Sequence, residues 1–187
     1  WTCEELNVPY KIQIIDFSPK YRFSPEFLQI SPIGKVPILQ DDSITMSESG
    51  AMVHYLIDKY GAGKLRPTID HPLYPTYLEW SWFAEATFTS SSSEIIRHKR
   101  AFPEDANIEV ITEFKRRATF CLEAVMRFLG EKKWLLGEDF SGADIMMGIA
   151  LTTYMRHVAE PFPPVMQSYF DRLSARPAFI RTKQAES

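Results

Sequence analysis

Two adjacent polar residues, Glu48 and Ser49, stand where an apolar helical pattern begins over residues 51–56. Ser47 is the predicted N-cap of this helix. The start of a helix exposes N–H groups without intrahelical partners and carries a partial positive charge, which suits a ligand carboxylate. Ser49 would bind that carboxylate through its hydroxyl and backbone N–H. The alternative is that both residues only cap the helix, and the pair taken alone favours capping.

A second candidate is the Val36–Pro37 pair, which follows Gly34 and Lys35. The peptide bond before a proline can be cis at modest cost, and a cis-proline in a fold is usually specified by its surroundings. The alternative is that Pro37 merely starts an edge strand. The pair taken alone favours the edge strand, and Lys35 taken alone is equally well explained as a solvated surface lysine.

The other reactive side chains form no pattern typical of catalysis or metal binding. The chain has two cysteines, Cys3 and Cys121, with no CxxC and no Cys/His cluster, which argues against a disulfide framework or a zinc site. Cys3 lies near a predicted helix end and Cys121 in a predicted core. The histidines are dispersed along the chain at His54, His71, His98 and His157.

A capping box is predicted at Ser141 and Asp144, with Asp in place of the usual Glu or Gln. We interpret it as structural, because it begins an apolar helix. Removal of Asp144 is expected to cost on the order of 1 kcal/mol, as the loss of a helix cap does.

Composition excludes several classes of function. Of the 187 residues, 45% are hydrophobic and 24% charged, which is typical of a globular protein with a sizeable core. A net charge of -3 gives no reason to expect nucleic acid or an anionic membrane as a partner. No apolar run reaches membrane-spanning length, no signal peptide is recognisable, and the cysteine usage favours a cytoplasmic location.

The first third of the chain is predicted to alternate helices and strands. Residues 1–7 read as the end of a helix without an N-cap signal, so we expect upstream sequence. The patterns further predict the strand 10–15, a helix capped by Ser24, the strands 36–40 and 43–46 around an Asp41–Asp42 turn, and a helix up to Gly61. This order is typical of an α/β unit.

The rest of the chain is predicted to be all-helical. Residues 63–71 are the predicted linker between a domain at 1–62 and a second domain at 72–187. Helices are predicted over 72–100, with a weak stretch at 87–93, and then over 107–130, 141–158, 165–173 and 177–182.

Four motifs in this order resemble the cytosolic glutathione transferase superfamily, closest to its fungal and bacterial branches. They are WTCEELNVPY at 1–10, SPIGKVPIL at 31–39, SESGAMVHYL at 47–56 and FSGADIMM at 140–147. The resemblance implies a thioredoxin-like N-terminal domain lacking its first strand here, a helical C-terminal domain and a homodimer. The catalytic hydroxyl or thiol of this family precedes the helix that ends at Asn7, so no catalytic residue is assigned and we expect it upstream of Trp1.

The resemblance also implies a glutathione site. In this family the bond corresponding to Val36–Pro37 is cis, and the main chain of Val36 would pair with the cysteinyl part of glutathione. Ser49 would bind the γ-glutamyl carboxylate, Glu48 would face its ammonium or hold the turn, and Lys35 would attract the glycine carboxylate.

The implied activity is activation of the glutathione thiol as a thiolate that attacks small apolar electrophiles, with peroxidase activity as an extension. Tyr77, Phe83 and Tyr154 are candidates for the electrophile pocket, although aromatic residues at helical spacing are more often core. A glutathione-dependent isomerase or dehalogenase and a non-catalytic regulatory or structural relative remain alternatives, since fold does not fix function. No metal is expected.

Overall fold

The computed structural model describes residues 1–185, which form ten α-helices, one π-helical segment and one two-stranded sheet. The elements are, in chain order, α1 (Thr2–Leu6), α2 (Pro19–Arg22), α3 (Pro25–Leu28), β1 (Leu39–Asp41), β2 (Ile44–Met46), α4 (Ser49–Tyr60), α5 (Tyr74–Trp82), the π-helical segment Phe83–Thr89, α6 (Ser90–Ala101), α7 (Ile108–Leu129), α8 (Gly142–His157), α9 (Pro164–Ser174) and α10 (Pro177–Ala185).

Helix boundaries in the first third follow local sequence signals. α1 ends at Asn7, which adopts the left-handed conformation at φ 54°. α3 begins as predicted, because the Ser24 hydroxyl accepts a hydrogen bond from the backbone N–H of Phe27 and Pro25 occupies the first turn. α4 ends at Gly61, also as predicted.

The predicted strand at 10–15 is wrong. No strand forms between α1 and α2, and most of this segment is exposed, with the side chain of Ile14 91% accessible. A strand requires a neighbour to pair with its backbone groups. Within residues 1–185 the sheet contains β1 and β2 alone, so the alternating pattern of residues 10–15 has no partner.

The predicted hairpin is confirmed with shifted boundaries. β1 begins at Leu39 rather than at Val36, and it pairs antiparallel with β2 so that Leu39 lies opposite Met46. The turn falls at Asp42 and Ser43, and Asp42 has a φ of 52°.

The helical remainder also agrees with the sequence pattern. The predicted weak stretch in the first long helix is present as the π-helical segment at 83–89 instead of at 87–93. Asn107 caps α7, and the box of Ser141 and Asp144 begins α8. Residues 63–71 contain neither helix nor strand, and the domain boundaries at 62 and 72 stay a prediction. No helix within the described range is long and apolar enough to cross a membrane.

Asp144 does more than cap α8. Its carboxylate is completely buried and accepts hydrogen bonds from the backbone N–H groups of Leu135 and Ser141, from the Ser141 hydroxyl and from the phenol of Tyr169 at 2.7 Å. Burial raises the pKa of Asp144, and these hydrogen bonds oppose the effect. One side chain therefore joins the start of α8, the preceding loop and α9.

Replacing Asp144 with Ala should lower the free energy of unfolding by about 3 kcal/mol, because several buried donors lose their acceptor together with the cap. This exceeds the loss expected for a simple cap. Urea denaturation measures the change. Asp139→Ala is the matched control, since Asp139 is exposed, and it should change stability by no more than about 0.5 kcal/mol. Equal effects of the two substitutions would contradict the role of Asp144.

Candidate functional site

The start of α4 has the features of an anion-binding site. Glu48 precedes the helix at φ 78° and ψ 98°, and its side chain makes no capping hydrogen bond. The first N–H groups of α4 therefore lack a side-chain acceptor among residues 1–185. A non-glycine residue at such a φ is strained, and strained residues cluster at functional sites. The prediction of Ser47 as the N-cap is wrong, because the helix begins at Ser49.

The hairpin register brings Val36 and Ser49 to the same end of the sheet. Leu39 pairs with Met46; Val36 lies three residues before Leu39, and Ser49 lies three residues after Met46. The two halves of the predicted glutathione site therefore adjoin the same end of the hairpin, one before β1 and the other after β2. We call Lys35, Val36, Pro37, Glu48 and Ser49 the hairpin-end site.

Val36 presents an unpaired main chain. The Val36–Pro37 peptide bond is cis, which confirms the expectation drawn from the family resemblance. The Val36 side chain is 44% exposed, and neither its N–H nor its C=O hydrogen bonds to any residue in 1–185. Both groups are thus available to an extended ligand that pairs in the manner of a strand. Lys35 is exposed and forms no ion pair with the described residues.

The loop before Val36 is fixed by two polar side chains that the sequence analysis did not single out. The buried Ser31 hydroxyl accepts from the Lys35 N–H and donates to the Lys35 carbonyl, each at 2.8 Å. The Arg22 guanidinium donates to the carbonyl of Gly34 at 2.7 Å. Gly34 has a φ of 61°, and a Cβ there would lie 2.7 Å from the carbonyl oxygen of Arg22, so only glycine fits.

A charged network holds the hairpin against α4. Asp41 accepts hydrogen bonds from Tyr55, Lys59 and Tyr60, all on α4, at 2.7 to 2.9 Å. Lys59, followed by the phenol of Tyr60, holds the pKa of Asp41 at about 2, below its usual range. Because Asp41 ends β1, these contacts set the hairpin relative to α4 and thereby position the hairpin-end site.

The helical part of the chain contributes Glu85 to this end of α4. The Ser49 hydroxyl donates to the carboxylate of Glu85 over 3.3 Å. Gly50 follows Ser49, and a Cβ at that position would make an ordinary contact with Glu85 at 3.9 Å but would crowd the Met146 side chain at 3.0 Å. Glu85 belongs to the π-helical segment, and its contact with Ser49 spans 36 residues. The sequence pattern does not indicate that Glu85 lies near Ser49, because the two residues are 36 positions apart and no local signal connects them.

A cleft of about 860 Å³ adjoins the hairpin-end site. It lies between β1 and the extended segment after α1, with α4 on one side. Val36 and Pro37 line it, whereas Glu48 and Ser49 do not. Cys3 also lines the cleft, and burial raises the pKa of its thiol, which disfavours the reactive thiolate.

The predicted electrophile-pocket residues do not gather around an open cavity. Tyr77 and Tyr154 are 0% and 1% exposed, so both belong to the helical core, where burial raises the pKa of each phenol. Phe83 is partly buried against Trp80. A ligand could reach the two tyrosines only if the core rearranged. The helical spacing of these residues marks the face of each helix that packs into the core. Among residues 1–185 no cluster of three or more His, Cys, Asp or Glu side chains could hold a metal ion.

Comparisons with known proteins identify the family that the chain resembles. Residues 1–64 match the family described as glutathione S-transferase, N-terminal domain. The chain is 28% identical over 96% of its length to glutathione S-transferase hmp2 of Hypomyces subiculosus, covering 89% of that protein. It is 25% identical over 94% of its length to the disulfide-bond oxidoreductase YfcG of Escherichia coli K12, covering 83% of that protein.

The fold is equally well matched. The crystal structure of glutathione transferase URE2P6 from Phanerochaete chrysosporium, in complex with oxidized glutathione, superposes with a TM-score of 0.87. The two sequences are 21% identical, and the match covers 98% of this chain and 87% of that one. The chain therefore has the glutathione transferase fold, a thioredoxin-like N-terminal domain followed by a helical C-terminal domain. Its resemblance to the cytosolic glutathione transferase superfamily is confirmed.

His54 on α4 gives this region a dependence on pH. Its Nδ1 lies 3.3 Å from the Tyr77 hydroxyl, and its buried Nε2 has no hydrogen-bond partner in residues 1–185. Burial lowers the pKa of His54, Asp58 opposes the effect and Arg66 adds to it. Since the folded state disfavours the protonated imidazole, stability should be complete above about pH 6.5 and decrease as the pH falls through that value.

His54→Asn should reduce this decrease, because Asn can accept from Tyr77 but does not titrate. Thermal unfolding at pH 7.5 and 5.5 measures the difference for the wild type and the variant. His71→Asn, at an exposed histidine, is the control and should retain the wild-type difference. A His54→Asn protein that loses as much stability on acidification as the wild type would contradict the assignment.

Proposed function

We propose that this protein is a glutathione transferase that binds glutathione at the hairpin-end site. The observation that carries the proposal is the common placement of Val36 and Ser49 at one end of the hairpin, with unpaired main-chain groups at Val36 and uncapped N–H groups at the start of α4. The relatives named glutathione S-transferase support the same function.

Each part of glutathione has a matching group in this proposal. When glutathione binds, the Ser49 hydroxyl donates to the γ-glutamyl carboxylate instead of to Glu85, and the N–H groups at the start of α4 donate to the same carboxylate at the positive end of the helix. The main chain of Val36 pairs with the cysteinyl unit beside Pro37, and Lys35 attracts the glycine carboxylate. Glu48 faces the ammonium or holds the turn that exposes the helix start.

The proposed reaction begins with loss of the proton from the glutathione thiol. The thiolate sulfur then forms a bond to the electrophilic carbon of a small apolar substrate, and the leaving group departs with its bonding electrons. Reduction of a hydroperoxide by glutathione is the proposed peroxidase extension. We assign no catalytic side chain among residues 1–185. Phe83 remains the most accessible of the three residues proposed for the electrophile side.

Thiol exchange is a second candidate, favoured by the likeness to the disulfide-bond oxidoreductase. Assays with a chlorinated nitroarene, a hydroperoxide and a glutathione mixed disulfide separate the two chemistries. Release of chloride with formation of the glutathione conjugate supports the transferase. Reduction of the mixed disulfide alone supports thiol exchange, and inactivity in all three supports a non-catalytic relative or an isomerase. The cytoplasmic location and the homodimer stay predictions.

Ser49→Ala should weaken glutathione binding about tenfold, because a hydrogen bond to a charged group contributes on the order of 1.5 kcal/mol. Isothermal titration calorimetry measures the dissociation constant. Val36→Ala should bind as the wild type does, since Val36 acts through its main chain. Ser43→Ala, in the hairpin turn, is the matched control and should also leave binding unchanged. Unaltered binding by Ser49→Ala would count against the site.

A further inference from the structure

A second cavity, of about 620 Å³, lies between the loop that follows α7 and the outer side of α9. It shares no lining residue with the hairpin-end site or with the cleft beside that site. Three cations line it, Lys132, Lys133 and Arg172, which we call the basic triad. The protein as a whole has a net charge of -3, so this local excess of positive charge does not follow from the composition.

Arg172 is held in one orientation by neutral acceptors. Its Nε and one terminal nitrogen donate to the carbonyl of Lys133 at 3.3 and 3.2 Å, and its other terminal nitrogen donates to the Ser168 hydroxyl at 2.9 Å. A guanidinium has five N–H groups, so these three bonds leave two for a further acceptor. Because the side chain is already fixed, less conformational freedom is lost when an anion binds to it.

The charges of the basic triad are not compensated by a carboxylate. No Asp or Glu of residues 1–185 forms an ion pair with Lys132, Lys133 or Arg172. Lys132 is fixed as well, since its ammonium donates to the carbonyl of Phe128 at 2.7 Å and lies 3.6 Å from the centre of the Phe128 ring. Glu131 also lines the cavity, and it leaves an excess of two positive charges over the lining residues, three minus one.

A phosphoryl group has the charge and the acceptors that this cavity calls for. At neutral pH a phosphate monoester carries close to two negative charges and three strong acceptor oxygens, and Arg and Lys are its usual partners in proteins. A phosphate ion alone would fill only a small part of about 620 Å³. Pro164 and Val165 add an apolar part to the wall, and the Val165 side chain is 42% exposed. A ligand with an organic group beside its phosphoryl group would bury apolar surface there.

We propose that this cavity binds an organic phosphate monoester, with the phosphoryl group on the basic triad and the organic group against Pro164 and Val165. The inference is independent of the proposed function, because the glutathione site contains none of these residues. The bland alternative is that the three cations form an ordinary solvated surface. Such a surface would attract any anion weakly and without regard to the organic group.

The test is a titration of ¹⁵N-labelled protein with phenyl phosphate in a buffer free of phosphate, followed by amide shifts and by calorimetry. Phenyl phosphate should bind with a dissociation constant of about 1 mM or lower and shift the amides of Lys133, Val165 and Ser168. Inorganic phosphate should shift the same amides and bind about tenfold more weakly, because it buries no apolar surface. Phenyl phosphate that produces no saturable shift at these amides up to about 10 mM would overturn the inference. Equal affinity for the two phosphates would overturn its organic part.

Variants of the basic triad complete the design. Lys133→Gln should weaken the binding of phenyl phosphate about tenfold through loss of a charge-assisted contact, and the exposed side chain makes a folding defect unexpected. Arg172→Gln should weaken it at least as much, and Arg172→Lys should restore part of the affinity because the charge is kept. Lys99→Gln removes the same charge at an exposed position of α6 and is the matched control, with wild-type affinity expected. Equal weakening by Lys133→Gln and Lys99→Gln would show that net charge alone attracts the ligand, which would refute the site.

Discussion

The close contact between α4 and α8 is the constraint on which the rest of the arrangement depends. Gly142 begins α8 at a point where an added Cβ would lie 2.5 Å from the Ile57 side chain and 3.0 Å from the Tyr77 hydroxyl. Gly50 lies at the opposite end of α4, where an added Cβ would be 3.0 Å from the side chain of Met146 on α8. The absence of side chains at both glycines allows the two helices to approach closely enough to exclude water between them. The contact fixes the start of α4 relative to the helical part of the chain.

Once α4 is fixed, the candidate site follows from short-range geometry. Asp41 ties the hairpin to α4 through Lys59 and two tyrosines, and the hairpin register then sets Val36 and Ser49 at the same end of the hairpin. The same placement brings Glu85 of the π-helical segment to Ser49. The candidate site thus combines main-chain groups and a helix start from the first third of the chain with the Glu85 carboxylate from the π-helical segment.

Local signals predicted the elements well and the long-range contacts poorly. Asn107, the Ser141–Asp144 box and Gly61 mark helix ends through interactions within a few residues, so sequence alone located them. The strand expected at 10–15 failed because pairing depends on a neighbour that residues 1–185 do not supply. Glu85 and the burial of Tyr77 and Tyr154 arise from contacts between distant segments, and the periodicity of a helix does not reveal which of its faces reaches a ligand.

Glutathione bound at the start of α4 should change the magnetic environment of the amides that it contacts. The most direct test is a titration of ¹⁵N-labelled protein with glutathione, followed by two-dimensional NMR. The account predicts that the largest amide shifts occur at Val36, Ser49 and Gly50. Saturating glutathione that leaves these three amides unshifted, or that shifts only the surface between Gly130 and Lys133 next to α9, would contradict it.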